Sequence, residues 1–193
     1  MKDFTPTAEQ ISLHGLGFIQ VKLPANRRLH VWHPDLPRRS CYQWSAIHNH
    51  RFSFRSTVLI GQQVNRRYTV VASPDGNHDR ISHDGPRGEK GGRLSYVAER
   101  VMVWPGGNEV YGPGQSYSME QLEYHETPNS GIVVTLLEKL HEGTVHASSL
   151  IMHGREFDQS FDRFQLSPDN LWAFVVDALK HGDGANPEKG LAA

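Results

Sequence analysis

Short alternating runs between turn-forming residues govern what this chain can fold into. "GFIQVKL" and "RLHVWHP" alternate apolar with polar side chains on either side of "PANR", the pattern of two strands joined by a tight turn. "CYQWSAIHNHRFSF" and "STVLIGQQVNRRYTVVA" continue as strands with Gly61 marking a bend, and "LSYVAERVMVWPGG", "QSYSM", "LEYHET", "GIVVTLLEKL" and "VHASSLIMHG" resume the pattern later. With 18 glycines and 11 prolines in 193 residues, long helices have little room. The chain therefore reads as all-β, and as a single domain over residues 1–181.

Helices are expected only at the ends. "TPTAEQISLHG" suits a brief N-terminal helix capped by Thr5 or Thr7 and closed by Gly15. Near the other end Ser167 can cap, Pro168 suits the first helical position, and Leu171, Phe174, Val175, Ala178 and Leu179 form an i, i+3, i+4 stripe. That helix should dock on a barrel or sandwich, with residues 182–193 as a frayed tail. Residues 73–93, "SPDGNHDRISHDGPRGEKGGR", are polar and rich in Gly and Asp, so they read as a long, mobile excursion outside the sheets.

Charge and cysteine content narrow the chemistry. Lys plus Arg (20) nearly balances Asp plus Glu (21), which leaves none of the basic excess that nucleic-acid binding requires. No signal-peptide core and no run approaching the ~20 apolar residues of a membrane span is visible, so a soluble, cytoplasmic protein with no membrane partner is expected. Cys41 is the only cysteine, which excludes an internal disulfide and a thiolate cluster. A metal here would have to sit on imidazole and oxygen ligands, and that directs attention to the 12 histidines.

His48 and His50 are two apart in a strand-like run, so they face the same side at about 7 Å along the backbone, within reach of one ion. Phe52 and Phe54 share their parity and would set the pair at the mouth of an apolar interior. Taken alone, an H-x-H pair is equally a pair of surface histidines. His30 and His33, three apart, fall on opposite faces, and His78, His83, His141, His146 and His153 read as ordinary polar residues. "GQSYSMEQLEYHETPNSGIVVTLL" supplies a third candidate: a strand, a tight reversal near Glu120 and Gln121, and a second strand carrying His125.

Together these segments resemble the cupin superfamily, whose first motif runs G-x5-H-x-H-x3,4-E-x6-G and whose second runs G-x5-P-x-G-x2-H-x3-N. His48, His50 and Gly61 match the first, and Gly114, His125 and Asn129 the second, within roughly residues 45–140. Tyr42 replaces the opening glycine, Phe54 the glutamate, and Glu120 and Leu122 the proline and glycine of the second motif. The resemblance implies a double-stranded β-helix, or jelly roll, and a mononuclear metal centre on His48, His50 and His125 without a carboxylate ligand. That ligand set resembles thiol dioxygenases, cysteine dioxygenase among them, and the three-histidine diketone-cleaving enzymes. It implies Fe(II) first, with Zn(II), Ni(II) or Mn(II) able to use the same ligands. Dioxygenase chemistry on a small molecule is then the leading expectation. A sugar isomerase or epimerase using Tyr117 and Glu123 as catalytic acid and base, or a non-catalytic ligand-binding cupin, are the alternatives. Tyr68 could orient a substrate, Arg66 or Arg67 could clamp its carboxylate, and cupins by analogy permit a homodimer through sheet edges.

Overall fold

The computed structural model describes residues 6–183. Strands run over Ile11–His14 (β1), Phe18–Leu23 (β2), Arg27–Trp32 (β3), Phe52–Ile60 (β4), Gln63–Ala72 (β5), His78–Ser82 (β6), Tyr96–Tyr111 (β7), Ser116–Met119 (β8), Tyr124–Glu126 (β9), Val133–Glu142 (β10) and Ser148–Met152 (β11). A helix, Pro168–Asp183 (α1), follows. All strand pairs are antiparallel, in two curled sheets ordered β1-β2-β3-β10-β4-β8 and β11-β6-β7-β5-β9. No helix among the described residues is long and apolar enough to cross a membrane.

The first sheet has two different faces, and the sequence alternation assigns them. Cross-strand partners share a face, so Phe18 and Trp32, Gln20 and His30, and Lys22 and Arg28 all point to one side. Ile19, Val21, Val31 and Val134 point to the other, where they bury against Leu171, Val175 and Ala178 of α1. The helix begins as its sequence dictates: Ser167 Oγ accepts the backbone N–H of Asn170 at 3.2 Å and Ser167 O that of Leu171 at 3.0 Å. Leu179, expected on the apolar stripe, is 38% exposed; the buried stripe ends at Ala178. With the outer face sealed by α1, the inner face is left to line an interior space.

Residues 47–49 tie the second sheet together. His48 forms backbone bridges to His125 of β9 on one side and to Ser149 of β11 on the other, which are the two edge strands of that sheet. Asn49 N donates to Ser148 O at 3.0 Å and Leu150 N to Ile47 O at 2.8 Å. The side chain of Ile47 turns into a cluster with Val101, Val103, Tyr124 and Leu150, so its neighbours His48 and Asn49 are held in an extended, internally anchored segment.

Three expectations fail for physical reasons. Residues 7–15 do not form a helix: Gln10 N and Ile11 N both bond to Thr7 O in one turn, after which Ile11 and Leu13 alternate as buried residues of β1, paired with Val21 and Ile19. Period two wins over a weak cap signal. The polar excursion contains β6, paired with β7 and β11. Within β6 only Ile81 is buried, against Cys41 and Ile151, and one buried residue makes no visible alternation. Residues 42–44 form a short 3-10 turn and regular strand begins only at Phe52, so His48 and His50 lie in the extended approach to β4. The tail expected at 182–193 lies, beyond Asp183, outside the described residues.

The β2–β3 turn places Ala25 and Asn26 at φ of 59° and 56°, as a tight hairpin demands. Gly61, at φ +76°, turns β4 into β5, and a Cβ there would stand 2.2 Å from Ile132 O. Replacing Gly61 with Ala combines left-handed strain with a backbone collision, so it should destabilise the fold by about 2 kcal/mol or more, read as a lower urea midpoint at unchanged slope.

Candidate metal centre

The site begins with a backbone pair. His48 N donates to His125 O and His125 N to His48 O, each at 2.9 Å. Residues paired in this way project side chains to the same side, and the two imidazole centroids are 4.5 Å apart. His50, two residues on, faces the same way with its ring 4.9 Å from His48 and 5.2 Å from His125. Its carbonyl is fixed by the N–H of Leu122 at 2.7 Å, inside the reversal at 120–123. Leu122 takes φ +63° there, the conformation that the glycine of the second motif adopts without strain. The candidate ligand atoms of the three histidines all lie within 4.8 Å of one another.

The motif residues outside the trio serve the backbone. Asn129 is buried, accepts the N–H of Val64 at 3.2 Å and donates to Gln63 Oε1 at 3.0 Å, so it links the 127–131 connection to the start of β5. Gly114, at φ +81°, donates its N–H to Val58 O at 2.8 Å.

All three imidazoles are held neutral at pH 7. Burial lowers the His48 pKa to about 4, even with its Nδ1–H donating to Ala46 O at 3.0 Å, and that bond leaves Nε2 with a free lone pair. His50 and His125 are pushed well below the usual histidine value, by burial first and by neighbouring histidines second. Nδ1 of His125 is buried with no hydrogen bond of good geometry, although the backbone of Glu123 beside it favours the protonated ring. Three neutral imidazoles whose candidate ligand atoms lie within 4.8 Å of one another fit a single divalent cation. No carboxylate belongs to the group.

Around the trio the walls are aromatic. The Phe54 ring lies 5.2 Å from His50 and 6.4 Å from His125, so the residue in the glutamate's place does border the site. A small space of about 30 Å³ is lined by the three histidines with Trp32, Phe54 and Tyr117 among others, room for an ion or a water. Tyr117 is buried beside Phe54 at 6.1 Å, and burial raises its pKa, so it stays a phenol. His48 and His50 also border a much larger cavity of about 930 Å³, over the inner face of the first sheet.

Other expected residues are placed elsewhere. Glu123 lines neither cavity; its carboxylate pairs with Arg67 and accepts the N–H of Glu120 at 3.1 Å. Arg67 also binds Glu109 at 2.8 Å, and Arg66 binds Glu126 at 2.8 Å, so neither guanidinium is presented to the interior. Tyr68 donates to Glu126 Oε1 at 2.6 Å in the same outer network. His33 meets Asp177 of α1 at 3.2 Å while His30 faces inward to Gln20 at 3.1 Å, on opposite faces as their spacing requires. His83 is satisfied by Ser95 and Ser149 at 2.7 and 2.8 Å, and His153 by Asp79 at 3.0 Å.

Sequence reasoning missed Arg28, Arg39, Arg87, Arg93 and Arg163 of the large cavity, and strand parity turns Arg51 outward although it borders the same cavity. A signal was present for one of them: Arg28, His30 and Trp32 alternate on the same face of β3. No protein-family model matches the chain, and no curated protein matches it.

Two outcomes are expected. Replacing His48, His50 or His125 with Ala should strongly reduce bound metal, whereas His33→Ala and His78→Ala should not, measured as metal per chain after gel filtration. The second concerns pH. Because His48 and His83 fall to about 4 and His30 to about 3, the unfolded chain takes up protons at these sites near pH 6.5 while the folded chain refuses them. The metal-free protein should therefore be fully stable above about pH 6.5 and lose stability as pH falls toward 4. Urea midpoints at pH 7.5, 6 and 5 would show it; a flat profile would mean that the histidines are solvated.

Proposed function

We propose that this chain is a cupin-type protein with a mononuclear metal on His48, His50 and His125, and that it oxidises a small molecule as a dioxygenase using Fe(II). The observation that carries the reading is the convergence of three neutral imidazoles, without a carboxylate, where a small aromatic pocket meets a cavity of ligand size. A divalent ion on three neutral ligands keeps its full charge and open positions, so when bound it supplies a place for an anionic substrate beside dioxygen. Zn(II), Ni(II) or Mn(II) could use the same ligands, and the metal must be measured.

The chain's own residues support the rest of that task. Phe54, Trp32 and Phe18 form dry walls near the trio. Tyr117, kept protonated, can donate a hydrogen bond into the pocket but is no base at neutral pH. The isomerase alternative needs a carboxylate facing the cavity, and Glu123 faces Arg67 instead.

Metal analysis after anaerobic purification, followed by oxygen uptake with candidate anionic substrates, tests the proposal. Stoichiometric iron with substrate-dependent uptake supports it; zinc without uptake favours a binding module. A sharper expectation concerns Phe54→Glu. The new carboxylate would stand beside His50, add a fourth ligand and a compensating charge, and fill an open position. Divalent-metal affinity should rise and oxygen uptake should fall. Equal destabilisation with and without metal, and no gain in affinity, would reject the role given to position 54.

A further inference from the structure

The large cavity is cationic in a chain whose net charge is −1. Arg28 rises from the inner face of β3, Arg163 comes from the segment that leads to α1, and Arg87 and Arg93 come from the loop between β6 and β7. Among the described residues none of the four makes an ion pair. Arg28 is half-buried, and among the described residues its side chain makes no hydrogen bond; its guanidinium lies 5.4 Å from the centre of the Phe52 ring. Arg163 spends two donors on Leu13 O and Ser12 Oγ, at 3.1 and 3.3 Å, while Arg87 and Arg93 each give one to a carbonyl of their own loop, Gly91 and Gly85.

The nearby carboxylates make their close contacts elsewhere, although the Glu142 charge favours the charged form of Arg28 through space. Glu142 is held by Arg51 and Lys139, Asp158 accepts from Ser40 and Ser160, and Glu9 is exposed. The guanidiniums feel one another: burial and the charges of Arg87 and Arg28 lower the Arg163 pKa to about 10, which still leaves it charged at neutral pH. Unpaired, partly desolvated cations gathered on one cavity are unfavourable unless an anion joins them.

We propose that this cavity binds a small molecule through a phosphate group, held between Arg28, Arg163 and the loop arginines, with its other end directed toward His48 and His50. A single carboxylate is satisfied by one bidentate arginine, whereas several guanidiniums from three separate elements suit a dianionic group with more acceptor oxygens. The volume of about 930 Å³ accommodates a phosphorylated metabolite rather than a bare ion. This deepens the proposed metal function by naming its substrate class, and only the orientation of the reacting end rests on that reading.

Arg28→Gln is the informative variant, because among the described residues the side chain it replaces makes no hydrogen bond or ion pair and only stacks near the Phe52 ring. Calorimetric titration of the full chain would use pyrophosphate, inorganic phosphate and acetate as probes. It would be repeated in the His125→Ala background, so that the anion cannot be held by the metal. Pyrophosphate should bind best and acetate worst, in both backgrounds. Arg28→Gln should weaken pyrophosphate by roughly tenfold or more, yet raise the melting temperature measured without anion, since repulsion is relieved. Arg55→Gln, on an exposed outward residue of β4, should change neither. Arg28→Gln binding pyrophosphate like the parent, or acetate binding as tightly as pyrophosphate, would overturn the proposal. So would pyrophosphate binding that vanishes in His125→Ala and survives in Arg28→Gln, because the anion would then sit on the metal. Loss of metal reading with intact pyrophosphate binding, by contrast, would reject the metal centre and leave the phosphate site standing.

Discussion

The reciprocal backbone pair between His48 and His125 is the constraint on which the rest of the structure depends. It is one rung of hydrogen bonds, yet it does two things at once. It attaches an otherwise irregular segment to β9, and through the bridge from His48 to Ser149 it connects the edges of the second sheet, where unpaired N–H and C=O groups would otherwise lie exposed. Because paired residues project to one side, the same rung also sets two imidazoles 4.5 Å apart. The geometry of the candidate centre is thus a by-product of sheet closure, held by backbone and not by loop side chains. Ile47, buried next door, keeps that rung from sliding, since a one-residue slip would exchange an apolar side chain for a histidine in a dry cluster.

The interior built on this rung is costly in polar groups. His14, His30, His48, His50 and His125 all have pKa values lowered first by burial, so the fold keeps them neutral against their ordinary tendency near pH 6.5. On the opposite face of the first sheet, Val31, Val134, Ile19 and Val21 pack with α1 in an ordinary apolar layer. The first sheet therefore presents an apolar layer on one face and the buried histidines His14 and His30 on the other. Period-two alternation allows this division, because neighbouring residues such as His30 and Val31 serve opposite purposes.

How much of this was legible in the sequence follows from how local each signal is. The β2–β3 hairpin, the Ser167 cap and the trio His48, His50 and His125 each depend on spacing within a few residues or on two compact motifs, and these could be read. The N-terminal turn was misread because Thr7 and Gly15 bracket a segment whose buried pair, Ile11 and Leu13, is too short to outvote a capping pattern. β6 was invisible because its strand character comes from pairing with β7 and β11 and not from its own composition. Arg66 and Arg67 read from the sequence as candidates for a carboxylate clamp, but spacing says nothing about which acids wait across the sheet; Glu109, Glu123 and Glu126 occupy them. Long-range charge pairing is the information that a single sequence lacks.

Net charge misled for a related reason. A value of −1 is an average over the whole chain, and it does not exclude a concentrated field inside a concave site. Several acids of this chain pair with Arg66, Arg67 and Arg80, whereas among the described residues Arg28 and Arg163 face the cavity without an ion pair. A cavity wall of low polarizability strengthens every such charge relative to water. A divalent ion on three neutral histidines would add to the same sign instead of cancelling it, because Phe54 stands where a carboxylate could have balanced it. If the two proposals hold, a histidine trio without a carboxylate and cavity arginines without an ion pair among the described residues would both leave compensating negative charge for a ligand to bring.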